Sequence, residues 1–113
     1  MSGGGKDAEN LAAAYLQRAG LKLVARNYRC RYGEIDLIAR DGETLVFVEV
    51  RMRSSDRFGG AAASITATKR AKLVRAARHY IANAAHPPAC RFDALLVNGQ
   101  GRSIEWLKSA FSG

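Results

Sequence analysis

Two neighbouring stretches, EIDLIAR (34–40) and ETLVFVEVRM (43–52), alternate side chains with the two-residue period of strands. Asp41-Gly42 between them is a strong hairpin signal. Upstream, residues 6–19 follow a helical period. Ala8, Leu11, Ala12, Tyr15, Leu16 and Ala19 share one face, and Gly20 stands where a helix C-cap places glycine. Residues 21–29 read as a first strand. After Gly59-Gly60 a long helical segment spans 64–84 and is closed by Pro87-Pro88. Strands follow at 91–97 and, more weakly, at 103–107. The order α-β-β-β-α-β-β predicts an α/β fold, a mixed β-sheet flanked by helices. One domain is expected over 6–113, with 1–5 as a flexible leader.

The hairpin contains a conflict. Glu34, Asp36 and Glu49 sit inside its strands, where carboxylates are depleted and unpaired burial is costly. With Asp41-Gly42 as a two-residue turn, Arg40 faces Glu43, Asp36 faces Phe47 and Glu34 faces Glu49. Glu34, Asp36, Glu49 and Arg51 then share one face. Ile35, Leu37 and Ala39 share the other with Val46, Val48 and Val50. Glu49 falls diagonal to Asp36. Such repulsion must be relieved by a proton, a basic neighbour or a divalent cation. Oxygen-rich clusters suit Mg²⁺ or Mn²⁺, and a salt-bridge network through Arg51 and Arg53 accounts for the spacing equally well. On the long helix, Ile65, Leu73, Ala76, Ala77 and Tyr80 form the apolar arc with Lys69 in its middle. Lys72, Arg75 and Arg78 fan out opposite. A lysine so placed either snorkels or carries its ammonium toward the acids. Glu9, at the edge of the first helix's apolar face, is either a first-turn acid or a third member of the cluster.

Charge narrows the field of partners. Eighteen Lys and Arg against ten Asp and Glu leave +8 over 113 residues. Arg51, Arg53, Arg57, Lys69, Arg70, Lys72, Arg75 and Arg78 have only Asp56 as an acid among them. A field of that sign attracts phosphate polymers. No apolar run reaches the ~20 residues of a membrane span, so no membrane partner is expected. Cys30 and Cys90 lack zinc spacing and are expected to be free thiols in a reducing cytoplasm. His79 and His86 read as surface residues, and Trp106 and Phe111 as packing. Asp93 either pairs with Arg91 or lies near the acids, and stays outside the site.

The blocks GEIDLIA, VFVEVRMR, FGGAAASITATKRAKLVRAARHYI and RFDALLV resemble the YraN-like family of small bacterial proteins. These look like members of the PD-(D/E)XK nuclease superfamily, close in layout to archaeal Holliday-junction resolvases. The resemblance spans nearly the whole chain and implies a restriction-endonuclease-like fold with Mg²⁺ or Mn²⁺ as cofactor. It implies that Asp36 and Glu49 are the motif acids and, with Glu9, the metal ligands. Arg51 takes the place of the motif lysine, and Lys69 matches a basic position on the following helix. Arg51 is a departure: a guanidinium stays charged and cannot serve as a general base, though it can hold a phosphate. Those resolvases are dimers, so by analogy alone a homodimer is expected.

The expected function is metal-dependent endonucleolytic hydrolysis of DNA, with branched or flapped structures as candidate substrates. Asp36, Glu49, Arg51 and Lys69 carry the chemistry, and Arg51, Arg53, Arg57, Lys72, Arg75 and Arg78 hold nucleic acid. The alternatives are a non-catalytic nucleic-acid-binding module on a nuclease-like fold, and a domain whose basic face meets an acidic protein.

Overall fold

The computed structural model describes residues 3–53, 65–98 and 103–111. Helix α1 (Gly3–Arg18) leads into strands β1 (Lys22–Cys30), β2 (Gly33–Asp41) and β3 (Thr44–Arg53). Helix α2 (Ala67–Ile81) then precedes β4 (Cys90–Asn98) and β5 (Ile104–Phe111). The five strands form one sheet in chain order. β3 and β4 are parallel, because α2 crosses over between them, and the other neighbours are antiparallel. The α/β architecture is therefore as the hydrophobic pattern predicts. α1 begins at Gly3, inside the stretch expected as a leader, and β5 runs four residues beyond its expected end.

Gly20 ends α1 as expected. Its N–H donates to Gln17 O and that of Leu21 to Leu16 O, the paired bonds of a Schellman cap. Gly20 adopts a φ of +100°, which favours glycine. Leu16 and Leu21 are both buried, so the cap also closes the core beneath it.

Each face of the sheet carries its own core. Ala8, Ala12 and Leu16 of α1 pack on Leu37, Ala39, Val46, Val48, Leu95 and Val97. On the other face Leu73, Ala76 and Ala77 of α2 pack on Ile35, Ile38, Leu45, Phe47 and Phe92. Fully burying a leucine or valine contributes roughly 1.5–3 kcal/mol, so β3, buried on both faces, anchors the molecule.

The hairpin register differs from the expected one. Asp41 pairs with Thr44, Arg40 with Leu45 and Ile38 with Phe47. The turn is thus centred on Gly42-Glu43. Its φ is positive at Gly42 and at no other position of the turn, the pattern of a type II′ turn; an Asp-Gly type I′ turn needs positive φ at both central residues. The slide moves Glu49 from diagonal to directly opposite Asp36 when the register is continued.

Candidate functional site

The acids meet where β2 and β3 part. Their backbone ladder runs from Asp41–Thr44 to Leu37–Val48. At the next step the N–H of Val50 donates to Asp36 Oδ2 at 2.8 Å, so a side chain takes over as acceptor. β2 bends here. Ile35 and Ile38, three residues apart, both enter the α2-side core, while Leu37 and Ala39 enter the α1-side core. Strict alternation would have kept Ile35 with Leu37, and the expected apolar layer is corrected in that respect. β1 bends in step: Ala25 and Tyr28 both pack on the α2 side, and Asn27 between them has φ +52°.

Glu49 is 3% exposed on the α2 face. Its Oε2 lies 2.7 Å from Lys69 Nζ and 3.5 Å from an Arg51 guanidinium nitrogen. Lys69 is delivered by the start of α2, where Thr66 caps the helix and its hydroxyl accepts the N–H of Lys69. Lys69 thus does reach the acids from the apolar stripe. Burial pushes the Asp36 carboxyl up to about 7; the Glu49 charge and a hydrogen bond with Glu49 add to this, and the Val50 N–H opposes it. Repulsion in the pair is therefore relieved in two of the ways open to it: Lys69 sits on Glu49, and Asp36 keeps a proton near neutrality.

The other expected residues divide. The Glu9 charge is the smallest of the influences that raise the proton affinity of Asp36, and Glu9 lies 3.9 Å from Arg26, which also donates to Asn10. Glu34 turns outward to Arg29. Lys72, Arg75 and Arg78 are exposed along α2. Arg53 ends β3, and Arg57 lies outside the described residues. Asp93, fully buried, accepts from Arg91, Trp106 Nε1 and the Ser109 N–H, so it is a packing hub away from the acids. Cys30 and Cys90 are free thiols. No described helix is long and apolar enough to cross a membrane.

Asp36 and Glu49 offer hard carboxylate oxygens of the kind Mg²⁺ and Mn²⁺ accept. Among the described residues no three acidic, imidazole or thiol side chains close into a metal-holding group. An ion held there would have two carboxylates from the protein and would take its remaining oxygens from water or phosphate, as Mg²⁺ commonly does. Sequence reasoning missed the Val50 N–H, the Thr66 cap and the Arg26 partner of Glu9. Thr66, a cap-type residue at the head of an apolar-periodic stretch, was legible; the other two depend on strand bending and pairing.

A model of the uncharacterised protein family UPF0102 matches residues 8–97. A UPF0102 protein of Nitrosomonas europaea is 61% identical over 108 residues, covering 95% of this chain and 92% of its own. One of Nitrosospira multiformis is 60% identical over 95% of this chain and 91% of its own. One of Methylobacillus flagellatus is 56% identical over 96% of each.

Proposed function

The chain belongs to the uncharacterised protein family UPF0102, and from that premise we propose that it is a metal-dependent endonuclease hydrolysing phosphodiester bonds of DNA. The observation that carries the reading is the meeting of Asp36 and Glu49 at the β2–β3 fork, with Lys69 2.7 Å from Glu49. A carboxyl whose proton affinity is raised by burial and by a second acid beside it, as that of Asp36 is, is expensive to keep. A divalent cation gives it a use. The likeness of the sequence blocks to PD-(D/E)XK nucleases supports the same assignment.

When bound, Mg²⁺ or Mn²⁺ supplies Lewis acidity to the phosphate and acidifies water. Asp36 and Glu49 hold the ion, and the Val50 N–H fixes the Asp36 rotamer. Glu9 serves as an outer acid rather than a direct third ligand. Lys69 and Arg51 stabilise the charge that builds on the phosphate. Arg51 takes no proton, so the attacking water gives its proton to solvent or to a phosphate oxygen. Exposed Lys72, Arg75 and Arg78, with Arg53 and Arg57, hold the flanking backbone.

The test is cleavage of labelled linear, flapped and four-way-junction DNA with Mn²⁺ or Mg²⁺, beside an Asp36→Asn, Glu49→Gln double variant. Metal-dependent products that vanish in the variant are expected. A second reading, a non-catalytic nucleic-acid-binding module, is favoured by one observation: Lys69 and Arg51 already neutralise Glu49. Intact DNA bound equally by both proteins would select it.

A further inference from the structure

A cavity of about 550 Å³ opens on the α2 face of the sheet, between the C-terminal half of α2 and strands β4 and β5. That volume lies in the range of small-ligand sites, roughly 300–1,000 Å³. Among the described residues α2 lies over β2 and leans toward β1, leaving the β4–β5 side of this face without a described helix above it.

Its floor is aromatic. Phe47, Phe92 and Phe111 form a stacked ladder, with centroids 5.5 Å apart at 28° and 5.0 Å apart at 20°. Phe47 and Phe92 are buried and Phe111, the end of the ladder, is half-buried. Val74, Arg78 and Ser109 contribute walls. Among the described residues no acid lines the cavity. Arg91 is there too, but its charge is met by Asp41 and Asp93. Arg78 pairs with no acid among the described residues, so the wall presents a cation. A planar ring with an attached anion matches an aromatic floor beside a guanidinium.

The cavity shares a face with the acids. Phe47 precedes Glu49 by two residues on the same side of β3, about 7 Å. The Phe111 end of the ladder lies two ring spacings of 5.5 and 5.0 Å further across the sheet. It therefore stands roughly 13 Å from Glu49, the length of about four stacked nucleotide steps. Along α2, Lys69 stands by the acids and Arg78 at the cavity, about 13 Å apart by helical rise. Lys72 and Arg75 are exposed between them.

We propose that this cavity is a subsite for one unpaired nucleobase of a DNA strand, which stacks on the Phe111 end of the ladder while its phosphates follow α2 toward Asp36 and Glu49. The inference rests on the nucleic-acid reading above and gives it a substrate class: DNA with an unpaired nucleotide about four steps from the cut, since a base held in a duplex cannot enter.

The test reads binding apart from cleavage. A flapped duplex carries 2-aminopurine at its first unpaired positions, and the full-length Asp36→Asn, Glu49→Gln variant is titrated in without metal. Stacking is expected to quench the probe. Phe111→Ala should restore its fluorescence and weaken flap binding roughly tenfold, with affinity for a blunt duplex unchanged. Phe111→Tyr should keep the quench. Val74→Met, which lengthens a wall residue without touching the ladder, should restore fluorescence as Phe111→Ala does and covers the case in which that variant fails to fold. Fluorescence unchanged on binding, or a quench surviving in Phe111→Ala or in Val74→Met, would overturn the subsite and leave the nuclease reading standing. A Val74→Met protein that falls to half the wild-type mass in solution would also overturn it, making the cavity an interface between two copies. Groove-dependent quenching in a protein whose wild type cuts no DNA would keep the subsite and remove the nuclease.

Discussion

Asp36 sets the behaviour of the site at the residue scale. Its carboxyl is pushed up to about 7 from an ordinary 3.8, so the fold holds this proton more tightly than the unfolded chain does. Folding stability is then relieved of the cost below pH 4 and bears it fully above pH 7. Asp36→Asn removes the ionisation while its amide oxygen can still accept from Val50. At pH 8 without metal the variant should be more stable by on the order of 1–3 kcal/mol, with the wild-type decline between pH 4 and 7 flattened in urea titrations. A lower stability would mean that Asp36 is held as an anion by neighbours. The same proton competes with a cation. Mn²⁺ should bind more tightly as pH rises from 6 to 8, releasing close to one proton on the acidic side, as calorimetry in buffers of different ionisation enthalpy would show. Lys69→Met leaves Glu49 buried with one basic partner fewer. Because Lys69 is 41% exposed, the loss should be about 1–2 kcal/mol, below that of a fully buried pair. Denaturation at pH 7 checks it, and adding Glu49→Gln should recover part of the loss.

At the scale of elements, the strands follow their hydrophobic pattern and the details follow turns and bends. The type of each element was legible because β3 alternates between two buried faces and α2 keeps a continuous apolar arc. The register was not. Asp41-Gly42 signals a hairpin without saying which two residues are central, and the turn that forms, with positive φ at Gly42 and not at Asp41, is centred on Gly42-Glu43. Gly42→Ala should therefore cost about 1 kcal/mol. A Cβ there meets nothing within 4 Å, so the loss is conformational, and a crystal structure of the variant should show an unmoved neighbourhood. A one-residue difference in turn placement is small, yet it turns a diagonal pair of acids into an opposing one. The parting of β2 from β3 at Asp36 was also beyond the pattern, since Ile35 reads as a regular strand residue until β1 bends beside it.

For the whole molecule, the excess of +8 becomes a surface: Lys72, Arg75 and Arg78 line the exposed side of the helix that brings Lys69 to the acids. If these and Arg51 meet about five phosphates, DNA affinity should fall roughly 10²–10³-fold between 50 and 200 mM salt. A slope near zero in a filter-binding series would exclude phosphate contact as the source of affinity. Periodicity by itself determined the element order, the apolar arc of α2, the Gly20 cap and the basic side of α2, because each is a local consequence of where side chains point from a helix or strand. Tertiary structure alone decided that Glu49 lies against Lys69, that Asp36 faces Glu49 while Glu9 stands off with Arg26, and that three phenylalanines far apart in the chain stack into one ladder. These depend on where a turn slides, where two strands bend together and how far a helix covers a sheet, which are set by packing between distant segments.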